Sequence, residues 1–137
     1  MASRSYILYI EDDRSMVEFV GKALKLWGHK VMGATSGKQG LAMMQERKPA
    51  LVLLDLMMPD TNGWDVYRKM KGQADLSDIP VVVISAVPPE NSYKIIDDLP
   101  PVEAYLPKPF EIEDLMQAVS QLLEGDYTLE QTDSTPR

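Results

Sequence analysis

Apolar positions along the chain fall into two alternating patterns. Short unbroken runs, with no polar residue interleaved, occur at Tyr6–Ile10 (YILYI), at Leu51–Leu54 and at Ile79–Ser85. Such runs predict strands covered on both faces, as in a parallel sheet flanked by helices. Weaker runs at Lys30–Ala34 and Val102–Leu106 predict a second and a fifth strand. Between the runs, apolar residues recur every three or four positions, as one face of a helix requires. Met16, Phe19, Val20, Ala23, Leu24 and Trp27 mark the first helix, with Asp13 as its N-cap and Gly28 just past its end. Ser36 and Gln39 form a capping-box pattern for a second helix with Leu41, Ala42 and Met44 inward, ended by Pro49. A third helix is expected from about Trp64 to Lys71. A short fourth is expected from about Glu90 to Asp98, bounded by Pro88, Pro89, Pro100 and Pro101, with Tyr93, Ile96 and Leu99 inward. A fifth runs from about Ile112 to Leu123.

Five strand-helix units without an internal repeat predict an α/β fold: a doubly wound, five-stranded parallel sheet with right-handed crossovers and helices on both faces. The 137 residues suit one domain, read as 6–124, with 1–5 as an N-terminal extension and 125–137 as a polar C-terminal tail or linker. Composition narrows the chemistry. There is no cysteine, which excludes disulfides and thiolate metal sites, and the single histidine, His29, lies at the sheet edge away from the acidic residues. Histidine triads and multi-histidine metal sites are therefore excluded. A net charge of −7, from 21 acidic and 14 basic residues, argues against direct binding of nucleic acid. With no long apolar span or leader pattern, no membrane contact and a cytoplasmic location are expected.

Candidate chemistry gathers at one edge. Open parallel sheets bind ligands beyond the C-terminal ends of their strands. That edge receives Glu11 and Asp12 after strand one, Asp55 after strand three, Ser85 after strand four and Lys108 after strand five. Each has an ordinary structural explanation, as a helix-start acid, a turn former or a strand end; their coincidence on one edge does not. Asp13 is assigned to capping. Carboxylates held close together repel unless a cation or proton joins them, and Mg²⁺ suits such an oxygen site. Asp55 would then be free to attack phosphorus, while Lys108 and the Ser85 hydroxyl help neutralise the phosphoryl charge.

The segments YILYIEDD, LVLLDLMMPDTNG, VVVISA and YLPKPF, in that order and spacing, resemble the receiver domain of two-component response regulators over about Tyr6–Leu123. The resemblance implies strand order 2-1-3-4-5 and a flavodoxin-like architecture. It implies Asp55 as the phosphoacceptor, and Mg²⁺, or another divalent ion such as Mn²⁺, bound by Asp12, Asp55 and the Met57 carbonyl, with Glu11 acting through water. It further implies a cis Lys108–Pro109 peptide and a switch in which Ser85 moves and Tyr105 follows. The implied partners are a sensor histidine kinase or phosphotransfer protein and a second copy bound through helix four, strand five and helix five. Such a domain is a phosphorelay component and not an enzyme on other substrates. The aspartyl-nucleophile phosphohydrolases are a rival class, but they need a nearby general acid/base and a substrate cap, and Met57 follows Asp55 where no cap-sized insertion exists. A pseudo-receiver that only binds protein is a third reading. Met57 and Val87 flank the water approach to Asp55 by the same likeness, which predicts slow loss of the phosphoryl group.

Overall fold

The computed structural model describes residues 5–59, 61–86 and 99–134, and side chains as far as Leu123. Its elements follow in the order β1 (Ile7–Ile10), α1 (Arg14–Lys25), β2 (Val31–Ala34), α2 (Gly37–Glu46), β3 (Leu51–Leu54), β4 (Met57–Met58), β5 (Thr61–Asn62), α3 (Gly63–Lys71), β6 (Val81–Ser85), β7 (Ala104–Pro107) and α4 (Ile112–Ser134). β4 and β5 form a two-residue antiparallel pair within the loop after β3. The main sheet has the order β2-β1-β3-β6-β7, every pairing parallel. Numbered without the loop pair, this is the expected 2-1-3-4-5.

The unbroken apolar runs are explained by two cores. Because successive strand residues point to opposite faces, Leu8, Ile10, Val52, Leu54, Val81 and Val83 pack beneath α2 and α3, with Met44, Trp64, Tyr67 and Met70. Their neighbours Ile7, Tyr9, Leu51, Leu53, Val82 and Ile84 pack on the other face with Val20 and Leu24 of α1 and Leu115 and Val119 of α4. β1, β3 and β6 are buried throughout, whereas edge strand β2 exposes Met32 and Gly33, which accounts for its weaker apolar signal.

Helix ends follow their predicted caps, with some corrections. Asp13 Oδ1 accepts the Ser15 and Met16 N–H groups at 3.0 and 3.3 Å. Gly28 has φ of 91°, the left-handed region that closes a helix most easily at glycine. Ser36 accepts the Gln39 N–H at 3.1 Å, but the Gln39 side chain returns to the Thr35 N–H at 2.8 Å instead of to Ser36, so the box closes one residue earlier. Phe19 and Trp27, expected inward, are 54% and 48% exposed because α1 turns only the Val20–Leu24 line squarely onto the sheet. Ala42 is exposed, and the inward line of α2 is Gly37, Gly40 and Met44. The final helix continues past Leu123, so the stretch expected as a polar tail is helical through Ser134. The expected fourth helix, with Tyr93 and Ile96, lies outside the described residues, as does Val87, expected to flank the water approach to Asp55; Leu99 packs against the α2–α3 core as expected.

Candidate functional site

Main-chain ladders position the site. Each relevant strand carries its hydrogen bonding one residue beyond its end: Glu11 N–H donates to Ala34 O at 2.9 Å, Asp55 N–H to Ile10 O at 3.0 Å, and Lys108 N–H to Ser85 O at 2.9 Å. Parallel register brings Ile10, Ala34 and Leu54 level, so Glu11 and Asp55 leave the sheet side by side. His29, by contrast, precedes β2 at the opposite edge, where burial lowers its pKa.

Carboxylate oxygens of Glu11, Asp12 and Asp55 all lie within 4.8 Å of one another. Glu11 and Asp55 are 1% and 3% exposed, whereas Asp12 is open to solvent. Lys108 reaches into this cluster from the far strand, its Nζ 2.8 Å from Glu11 Oε1 and 3.4 Å from Asp55 Oδ2. Ser85 is fully buried at the end of β6, beside Pro107 in register. Tyr105 is half-buried on β7 against the α2–α3 core. Met57 donates its N–H to Asp55 Oδ1 at 3.1 Å and leaves its side chain 61% exposed. The Lys108–Pro109 bond is cis, as the resemblance implied.

Burial raises the Glu11 pKa, since a desolvated carboxylate resists ionisation, and the Lys108 hydrogen bond and the Asp13 N–H only partly offset this. For Lys108, burial acts to lower the pKa, but the Glu11 hydrogen bond and the charges of Asp55 and Glu11 outweigh it and the pKa is raised. The lysine is therefore held as the counter-ion of two buried acids. Tyr9, also buried, has its hydroxyl 3.4 Å from Glu11 Oε1, and burial together with the charges of Glu11 and Asp55 keeps it protonated.

Two supporting residues were not legible as such. Tyr9 reads as strand filler in YILYI, and only the period-2 register, which carries it toward Glu11, could have flagged its hydroxyl. Gly63 reads as a turn residue, yet a Cβ there would lie 2.6 Å from Asp55 O and 2.7 Å from Leu56 Cα. Its N–H donates to Leu56 O at 3.0 Å, which folds the MMPDTNG loop back on the acidic cluster.

Both acids of the buried pair are engaged. Glu11 spends Oε1 on Lys108 and Oε2 on the Asp13 N–H, 3.1 Å away. An octahedral magnesium ion takes oxygens at about 2.1 Å, so its direct ligands stand at most about 4.2 Å apart. A trio spanning up to 4.8 Å fits such an ion when one member reaches it through water.

A family model for the response regulator receiver domain matches residues 7–120. PilH of Pseudomonas aeruginosa is 30% identical over 119 residues, covering 87% of this chain and 98% of PilH. The DNA-binding dual master transcriptional regulator RpaA of Synechocystis is 32% identical over 117 residues, covering 85% of this chain but 48% of RpaA, so the chain spans about half of that relative. The signal receiver domain of a histidine kinase from Syntrophus aciditrophicus superposes with a TM-score of 0.79 at 25% identity, over 90% of this chain and 93% of that one. No helix among the described residues is long and apolar enough to cross a membrane. With the sheet order, the acidic cluster and the lysine placed as they are, this chain belongs to the receiver domain family of two-component response regulators.

Proposed function

We propose that Asp55 accepts a phosphoryl group from a phosphohistidine of a sensor histidine kinase or phosphotransfer protein, and that the domain, residues 6–124, signals through the change this produces. The observation that carries this reading is the pairing of a buried Asp55 with Lys108 at 3.4 Å inside a cluster of three carboxylates open to solvent at Asp12.

An Asp55 oxygen attacks phosphorus, the P–N bond to the donor imidazole breaks, and its electron pair returns to the ring nitrogen; an acyl phosphate forms. Positioning and charge neutralisation are what such a transfer asks of a protein. Asp12 and Asp55, with the Met57 carbonyl, would hold Mg²⁺ directly, and Glu11, whose oxygens are already engaged, would act through water. When bound there, the ion would supply positive charge to the transferring phosphoryl oxygens. Lys108 exchanges its bond to Asp55 for one to a phosphoryl oxygen while keeping Glu11 as its anchor. Ser85 offers its hydroxyl to the same group and Tyr105 responds to its displacement. The phosphoryl group carries about −1.5 to −2 charges where the Asp55 carboxylate carried one, a net gain of about −0.5 to −1 together with three new acceptor oxygens, enough to redraw these contacts.

Incubating the protein with a small phosphodonor and Mg²⁺ and weighing it intact tests the reading. One phosphoryl group should be gained by the wild type and none by Asp55→Asn. No gain by either would favour the protein-binding pseudo-receiver.

A further inference from the structure

The chemistry at Asp55 draws on Met57 only through its backbone, while the Met57 side chain is 61% exposed immediately after two buried residues, Asp55 and Leu56. Of the other methionines among the described residues, Met32 is 36% exposed, Met44, Met58, Met70 and Met116 are buried, and Met16 and Met43 are partly covered by the two cores. The most exposed thioether is also the one best placed to affect the site. Met57 N–H donates to Asp55 Oδ1 at 3.1 Å, and Met57 pairs with Asn62 across the β4–β5 hairpin. Held at both points, it lines an open cleft of about 730 Å³ whose walls include Asp12 and Asn62.

Exposed thioethers are oxidised by hydroperoxides, and the product is a polar sulfoxide. The sulfur lone pair attacks one peroxide oxygen, the O–O bond breaks, and the second oxygen leaves as hydroxide, which takes up a proton and becomes water. Sulfur is oxidised by two electrons and the peroxide is reduced by two. A thioether is a weak hydrogen-bond acceptor, whereas the oxygen it gains carries the negative end of a strong dipole. Asn62 is placed to receive that oxygen. Directly opposed residues of an antiparallel pair present their side chains to the same face, and Asn62 Oδ1 is fixed on the Trp64 N–H at 2.8 Å, which leaves the amide nitrogen as the donor available to Met57. A second lone pair remains for water in the same cleft. Magnesium keeps several waters, so a sulfoxide beside Asp12 adds an acceptor for a water bound to an ion there.

We propose that Met57 is a site of reversible oxidation by hydroperoxides at the mouth of the acidic cluster, and that its sulfoxide, steadied by Asn62, tightens divalent-cation binding at Asp12 and Asp55. The inference rests on the cation-binding part of the reading above and adds to it a redox control, which reduction by a methionine sulfoxide reductase resets. One added hydrogen bond to a metal-bound water corresponds to about a threefold gain in affinity.

Graded hydrogen peroxide treatment of the whole chain, followed by peptide mass mapping and calorimetric titration with Mg²⁺, tests the proposal. One oxygen atom should be added at Met57 before Met32, and well before the buried Met58 and Met70. The oxidised protein should bind Mg²⁺ about threefold more tightly than the same protein before treatment, and the reductase should reverse the gain. Met57→Leu, compared with itself before and after peroxide, should show no gain. Asn62→Ser, which keeps a capping oxygen for α3 but lacks the amide, should be oxidised at Met57 and gain less. Oxidation of Met32 or Met58 ahead of Met57, an affinity unchanged or weakened by oxidation, or a full gain in Met57→Leu or in Asn62→Ser would each overturn the proposal and leave the phosphoacceptor reading standing. Protein that binds no Mg²⁺ in either state would overturn the cation site itself, and this inference with it.

Discussion

Replacing Lys108 by alanine removes the cation that bridges Glu11 and Asp55. At an effective dielectric of about 20, contacts of 2.8 and 3.4 Å are worth roughly 6 and 5 kcal/mol before desolvation. Most of that is offset by taking three charges out of water. Breaking a buried pair from one side costs about 3–5 kcal/mol, and Lys108 keeps 24% of its side chain in solvent, so the loss should sit near the lower end, about 3 kcal/mol. For a domain of this size that is a fall in Tm of roughly 10 °C. The pH dependence has a definite sign. The raised pKa of Lys108 means that its contribution is complete below its ordinary value of 10.5 and constant across neutral pH. Glu11 also has a raised pKa, so its ionisation opposes folding: the folded state is favoured below the ordinary 4.5, and this is lost as pH rises through the higher folded value. Without Lys108 that value climbs further, so the deficit should be smaller at pH 5 than at pH 7.5. Mg²⁺ should restore much of the deficit and bind the variant more tightly than the wild type, because a competing cation is gone. Paired calorimetric scans at the two pH values, with and without Mg²⁺, decide the matter. Equal stability of variant and wild type at pH 7.5, or a larger deficit at pH 5, would refute the reasoning.

Gly63→Ala would press a methyl group into backbone atoms of Asp55 and Leu56 that cannot rotate away; a loss of about 1–3 kcal/mol in denaturant titrations and weaker Mg²⁺ binding should appear together. Asp13→Ala should cost about 1 kcal/mol as a lost cap while leaving the phosphoryl yield near wild type, and an abolished yield would show Asp13 to be a working ligand. Burial lowers the His29 pKa, so the protein should lose stability as pH falls below 6.5, where the unfolded chain takes up the proton first. His29→Gln should flatten Tm against pH in that window, and identical curves would contradict the assignment.

Strand identities were readable because β1, β3 and β6 are buried on both faces, which leaves continuous apolar runs with a carboxylate or serine at the end, whereas their order in the sheet came only from the family resemblance. Helix faces were less readable. Phe19, Val20, Leu24 and Trp27 are equally apolar, and only packing distinguishes Val20 and Leu24, which meet the sheet, from Phe19 and Trp27, which do not. The loop pair β4–β5 arises from Met57–Met58 bonding to Thr61–Asn62, a local closure that turn residues suggest but whose register they do not specify. At the site, residue types identified Glu11, Asp12, Asp55 and Lys108. The anchoring of Lys108 on Glu11 emerged only from the geometry, because 97 residues separate the two in sequence.

The central claim, that Asp55 is the phosphoacceptor, is tested most directly by trapping the modified residue. Borohydride reduction converts an aspartyl phosphate to homoserine, which peptide mapping locates. After treatment with a small phosphodonor, homoserine should be found at position 55 when Mg²⁺ is present and be nearly absent when it is chelated. Homoserine at Asp12 or Asp13 instead, or none at any position under conditions that label other receivers, would contradict the account.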